Sequence, residues 1–309
     1  MRARLLVLVF LITHSVFSTE YFVTTNGNDK NKGRSESDAW RTLSHAARKA
    51  KAGDIVWIKA GNYGSENVLV ERSGTKDSPI SFIGYRNEPG DINSMYFTYS
   101  KDKSLESSKM PLLDGGHGGI NEGFTVRGNY IVVKNIQITN YSTLMYVTNA
   151  PEGVVLDNIL AHTAGRTEGQ PGEQGKGILF NSDSSTGNII RNSTVVNCSV
   201  ANYRIYGNNN LIENCKSYAD RNDLGKGEAT DYYFVIRGSN NLIKGCYVER
   251  VGNLSHNGHG ISLKAVGRKT ENNIIENCTV VNVKGAIEAR HSQVKNNIFR
   301  DIEIKGWPT

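Results

Sequence analysis

From residue 129 onward one short phrase returns seven times: NYIVVKNIQI, EGVVLDNILA, GNIIRNSTVV, NNLIENCKSY, NNLIKGCYVE, NNIIENCTVV and QVKNNIFRDI. Aligned on the bend residue, the repeats put Asn135, Asn158, Asn192, Asn214, Gly245, Asn277 and Asn297 in one column, at intervals of 23, 34, 22, 31, 32 and 20 residues. Asn and Gly are the residues that most readily take a left-handed backbone, so the column marks a recurrent bend between two short strands. Stacked Asn side chains can also hydrogen-bond along an axis. A period of this length, with uneven loop insertions, predicts a β-solenoid. Short strands and tight turns make it an all-β, right-handed parallel β-helix.

The cysteines follow the same register. Cys215, Cys246 and Cys278 each come directly after the column residue, where Ile136, Ile159, Ser193 and Ile298 stand in other repeats. Side chains in equivalent positions point the same way and not at one another, so these three are expected as a buried, unpaired stack with Cys198 apart. No CxxC spacing suggests a cysteine metal site.

Upstream of the repeats the chain changes character. Met1–Ser18 has a basic start (Arg2, Arg4), an apolar LLVLVFLI core and small residues near Ser18, the pattern of a secretory signal. That apolar run is too short to span a bilayer, so the expected product is secreted or periplasmic, with no membrane partner and one β-helix domain over residues 19–309. Losing Arg2 and Arg4 lowers the formal charge from +6 to +4. This mild positive balance suits an acidic polymer. Without a Lys/Arg-rich run or a recognisable module, nucleic acid is not an expected partner. Helical spacing occurs over Asp38–Ala50, where Trp40, Leu43, Ala46, Ala47 and Ala50 share a face; this predicts a short cap, about residues 38–53, over the end of a helix that starts near Asp54. The polar stretch TTNGNDKNKG before it invites a calcium reading but lacks EF-hand spacing. Residues 91–110 read as a polar surface loop.

In each repeat a further strand precedes the bend: FTVRG, LMYVT, GILFN, NYRIY, YFVIR, GISLK and IEAR. Alternation sends one set outward: Arg127, Thr148, Asn181, Tyr206, Arg237, Lys264 and Arg290. A second outward set, two positions earlier, includes Arg204, Ser262 and Glu288. Arg204, Tyr206, Arg237, Lys264 and Arg290 thus gather on one face over four successive coils. A solvated basic face is the ordinary explanation for one such lysine. Five groups in register repel one another, and an anionic polymer would offset that cost.

The run GISLK…NNIIENC…GAIEARH…VKNNIF resembles the central motif of polysaccharide lyase family six, the alginate lyases and chondroitinase B, through Ile261, Ser262, Lys264, Arg290, His291, Asn297 and Phe299. The opening HAARKAKAGDIVWIKAGNY resembles that of many β-helix carbohydrate enzymes, family-nine pectate lyases among them. The family-six resemblance implies cleavage of a uronate polysaccharide such as alginate, with Lys264 as base, Arg290 as acid and calcium on the substrate carboxylate. The family's acidic calcium ligands would fall seven and five positions before the lysine, where this chain has Asn257 and His259. Asn257 is then the one remaining metal candidate. Arg237, Asn257 or His259 could hold the carboxylate instead, and Tyr206 or His291 could carry a proton. Arg127, Arg204, Tyr206, Arg237, His259, Glu288 and His291 are the expected substrate contacts.

β-Elimination requires loss of a proton α to a carboxylate whose charge is neutralised, so a lysine among cations suits it. Two other classes compete. A glycoside hydrolase needs two carboxylates facing the groove, and the outward columns offer only Glu288, with Asp223, Glu228 and Asp231 assigned to a loop. A non-catalytic glycan-binding or adhesive β-helix fits the missing calcium ligands. The chain reaches Thr309 without a C-terminal cap, which fits a dimer or an additional C-terminal region.

Overall fold

Each Asn pair in the repeats makes a corner, and the corners set the architecture. The first residue of the pair takes a left-handed backbone at Asn209, Asn240, Asn272 and Asn296 (φ 53 to 59°), and a second left-handed bend follows at Asn135, Asn158, Asn192, Asn214, Gly245 and Asn277. In the computed structural model, which describes residues 18–101, 103–116, 122–165, 175–222, 229–254 and 258–306, every strand pairing along the coils is parallel. Eight strands form one sheet, from Val68–Val70 through Glu122–Val126, Thr143–Val147, Lys176–Phe180, Ala201–Tyr206, Tyr232–Arg237 and His259–Lys264 to Gly285–Arg290. A sixteen-stranded sheet, folded at the second bend, makes the other two faces. The result is the right-handed parallel β-helix expected.

The final coil corrects the register read from sequence. Asn297 is not the bend residue there; Asp301 is, with φ 54°, because Ile298, Phe299 and Arg300 pair with Ile274, Ile275 and Glu276. The residue after the bend is accordingly Ile302, not Ile298. Asn297, itself half-buried, ends a separate ladder formed with the buried Asn188, Asn210, Asn241 and Asn273. Each side-chain amide donates to the next Asn oxygen at 2.8 to 3.0 Å, and that oxygen also accepts the preceding coil's backbone N–H at 2.9 to 3.0 Å. The axial hydrogen bonding is concentrated here, at the second Asn of each pair. Buried amides satisfied this fully stabilise by directional bonding in a low dielectric.

Inside, the site-bearing sheet contributes Phe124, Met145, Ile178, Tyr203, Phe234 and Ile261, all fully buried. Tyr203 stacks on Phe234 at 4.3 Å. All four cysteines are free and buried.

The N-terminal cap is smaller than the sequence spacing predicts. Its α-helix covers only Leu43–Lys49, preceded by a 3-10 turn at Glu36–Asp38. Thr42 caps it by accepting from the His45 N–H at 3.1 Å. Leu43, Ala46 and Ala47 close the end of the core. Parallel pairing starts earlier than Asp54, since Glu20–Val23 pairs with Ile55–Lys59. Asp29, in the stretch with a calcium reading, instead accepts from the N–H groups of Arg41 and Thr42 and from the Thr42 hydroxyl, at 2.7 to 3.0 Å. Residues 91–110 are not a free polar loop. Ile92, Phe97 and Met110 form a second apolar cluster with Leu160, Val196 and Tyr218, and Tyr99 stacks on Tyr218 at 4.0 Å. Among the described residues no helix is long and apolar enough to cross a membrane. The signal-like residues 1–17 lie outside those described.

Candidate active site

The outward columns fall where alternation puts them. Tyr206 pairs with Arg237, and Lys264 with Arg290. Leu179 pairs with Arg204, Arg204 with Val235, Val235 with Ser262, and Ser262 with Glu288. Strand spacing of about 4.8 Å therefore brings Arg204, Tyr206, Arg237, Lys264, Glu288 and Arg290 onto one patch. Arg127 sits in the same column but three coils from Tyr206, exposed and ion-paired with Glu71 at 3.3 Å. With Glu71, Glu122, Tyr146, Thr148 and Asn149 it lines a separate hollow of about 660 Å³ on the N-terminal coils. His291 is exposed in a turn at φ 81° and does not join the cluster. Asn257 lies outside the described residues.

The hub of the patch is Tyr232. Its oxygen accepts a hydrogen bond from Lys264 Nζ at 2.9 Å and another from Arg290 Nη1 at 2.9 Å. With both lone pairs engaged by cationic donors, its own O–H is left to donate elsewhere. The Tyr232 ring stacks on His259 at 4.6 Å. His259 faces a carboxylate on each side, Glu288 at 2.7 Å from Nδ1 and Asp231 at 3.4 Å from Nε2. Glu288 reaches Arg290 Nε at 3.3 Å and accepts from the Ser262 hydroxyl at 3.4 Å. Glu288 thus supplies a carboxylate beside Arg290, and Asp231, assigned to a loop by sequence, borders the site through His259. Sequence alternation missed Tyr232 because it enters three positions before Val235, ahead of an irregularity at Tyr233 that the strand pairing skips. The available signal was its alignment with His259 in the next coil.

A second knot lies one coil back. Arg204 Nε donates to the Tyr206 hydroxyl at 2.6 Å, and both Arg204 and Arg237 lie against the Tyr206 ring, at 5.1 and 4.7 Å from its centroid. Burial pulls the Arg237 guanidinium below its ordinary range, an effect Tyr206 partly counters and the Arg204 charge reinforces. Burial, and after it the Arg204 charge, likewise lowers Lys176 on the same sheet.

A calcium centre of the family-six kind does not fit the described residues. His259, at one ligand position, has both ring nitrogens directed at carboxylates, and no group of three His, Cys, Asp or Glu side chains able to hold a metal occurs among them.

Comparison with known proteins agrees with this architecture. By fold, the chain is similar to pectate lyase Pel9A (TM-score 0.59, 16% identity, 94% of this chain and 78% of that one). It is also similar to an alginate lyase from Paenibacillus sp. str. FPU-7 (TM-score 0.54, 17% identity, 85% and 95%), and to the pectin methylesterase of Aspergillus niger (TM-score 0.59, 10% identity, 94% and 87%). At such identities the likeness is one of fold. A stretch of 67 residues is 46% identical to the uncharacterized protein YwoF of Bacillus subtilis (strain 168), spanning 22% of this chain and only 14% of that protein. A model of the Pel9A-like right-handed β-helix region matches residues 21–298, nearly the whole described length, and the chain belongs to that family.

Proposed function

We propose that the protein is a secreted or periplasmic lyase that cleaves a uronate-containing polysaccharide, such as alginate, by β-elimination. The observation that carries this reading is the meeting of Lys264 and Arg290, from adjacent strands, on the Tyr232 oxygen. Lys264, in its neutral form, takes the proton α to the carboxylate. The electron pair released forms the new double bond, the glycosidic C–O bond breaks, and the departing oxygen receives a proton. In the family-six pattern Arg290 is the acid. The Tyr232 hydroxyl, bonded to Arg290, is the chemically easier last step of that delivery, since a phenol releases a proton far more readily than a guanidinium. Lyases of pectate and of alginate on the same scaffold support the reaction class; the esterase neighbour shows that the scaffold alone does not choose it.

A glycoside hydrolase is less well supported, because both oxygens of Glu288 are taken up by His259, Arg290 and Ser262. The test is incubation with alginate, pectate and glycosaminoglycans, following absorbance of the unsaturated uronate product. Product from one of them is expected. Reducing ends without unsaturation would replace the lyase with a hydrolase, and binding without either would replace it with a glycan-binding protein.

A further inference from the structure

We propose that Arg237 is the group that neutralises the substrate carboxylate, so that elimination proceeds without a divalent cation; this rests on the lyase reading above. The other cations of the groove are already engaged. Arg204 donates to Tyr206, Lys264 to Tyr232, Arg290 to Tyr232 and Glu288, and Arg127 pairs with Glu71. Arg237 differs. Its Nε is buried with no hydrogen-bond partner, and no carboxylate among the described residues pairs with it. Its guanidinium lies over the face of the Tyr206 ring at 4.7 Å from the centroid, which steadies a cation but accepts no conventional hydrogen bond from it.

A guanidinium whose Nε–H is buried without an acceptor gains a hydrogen bond when an anion arrives, and a carboxylate meets its fork with two parallel hydrogen bonds. The position suits the chemistry. Arg237 precedes Lys264 in the same outward column, since Ile236 pairs with Leu263, and adjacent strands lie about 4.8 Å apart. The carbon that loses its proton is bonded directly to the carboxylate carbon. A carboxylate held on Arg237 therefore presents the α-hydrogen toward Lys264. The polymer's acid group would be recognised by a planar, delocalised cation on a stacked aromatic support, an arrangement a lysine ammonium cannot reproduce.

The experiment compares alginate and pectate with the same polymers after methyl esterification, which removes the charge Arg237 would meet. Arg237→Gln should lower turnover of the free acid by roughly 10²-fold or more, the usual cost of removing one preorganised electrostatic contact, while changing turnover of the ester only a few-fold. Arg237→Lys should recover little, and wild-type turnover should survive EDTA. Equal losses on acid and ester, or abolition by EDTA with recovery on adding calcium, would overturn the proposal. Binding to Lys264→Ala protein, measured by calorimetry with acid and esterified oligomers, separates the two failures. If no polymer is turned over, the lyase reading falls, yet Arg237→Gln in that background should still erase the preference for the acid. A preference that persists would sink Arg237 as the carboxylate site.

Discussion

Residues 91–110 cover part of the folded sixteen-stranded sheet with Phe97 and Tyr99, while among the described residues no comparable excursion packs on the sheet that carries Lys264 and Arg290. Both surfaces are made by the same coils, with the same alternation. On the covered side, outward residues such as Leu160, Val196 and Tyr218 are apolar and find partners in the excursion. Polar groups there are also closed off: the Tyr99 hydroxyl donates to Asp220 at 2.7 Å, and Gln137 donates to the carbonyls of Glu106 and Met110. On the other side, cations and tyrosines stand among the outward residues, bonded mostly to one another and to Glu288, while the Arg237 Nε has no partner. A face that is sealed contributes stability. If the face with cations crowded against aromatic rings binds the proposed polymer, its substitutions should register in chemistry before they register in melting.

Lys264→Ala is the largest expected effect of this kind. Turnover should fall roughly 10²–10⁴-fold, the usual contribution of a general base, with little change in melting temperature; retention of most activity would break the division of labour between the faces. Tyr232→Phe removes the acceptor shared by Lys264 and Arg290 and should cost about 10²-fold if it passes the proton, read as kcat at constant polymer concentration. A loss confined to KM would reduce Tyr232 to a positioning residue. In the interior, Asn241→Ala opens the ladder between Asn210 and Asn273. Two backbone or side-chain donors lose their acceptor, so stability should drop by about 1–3 kcal/mol, seen in denaturant melts with activity per folded molecule unchanged. Tyr99→Phe on the covered face should cost about 1.5 kcal/mol, the low end for a single bond to a charged group because the pair is only part-buried, and leave turnover alone. Arg127→Ala, at an exposed ion pair, should change stability by no more than about 0.5 kcal/mol. A strong effect on polymer binding from that variant would show that the polymer also reaches the hollow on the N-terminal coils.

Much of the architecture was legible because backbone need and residue type coincide. Only Asn and Gly fill the left-handed corners cheaply, so NNLIENC and NNIIENC announce both bends and the strand between them. The last repeat misled for the same reason. QVKNNIFRDI places its Asn pair at the first corner and uses Asp301 at the second, and a column counted on Asn alone slips from one ladder to the other. The site was legible as far as strict alternation holds, which brought Arg204, Tyr206, Arg237, Lys264, Glu288 and Arg290 together. It failed at the strand entrance, where Tyr232 and His259 face the groove out of phase. Residues 91–110 looked polar by count, but Met95, Tyr96, Phe97 and Tyr99 are clustered, and clustering decides whether a loop can pack.

The ladder of Asn188, Asn210, Asn241, Asn273 and Asn297 is directional. Each coil hands two donors, a backbone N–H and a side-chain amide, to an oxygen that exists only once the following coil is in place. A partly wound chain thus leaves one pair of these donors bonded to water at its C-terminal end, and the next turn replaces that water with an amide oxygen of the ladder. Because each coil of a solenoid contacts only its neighbours, every rung couples one coil to the next. Loss of one rung would loosen that coupling at a definite coil.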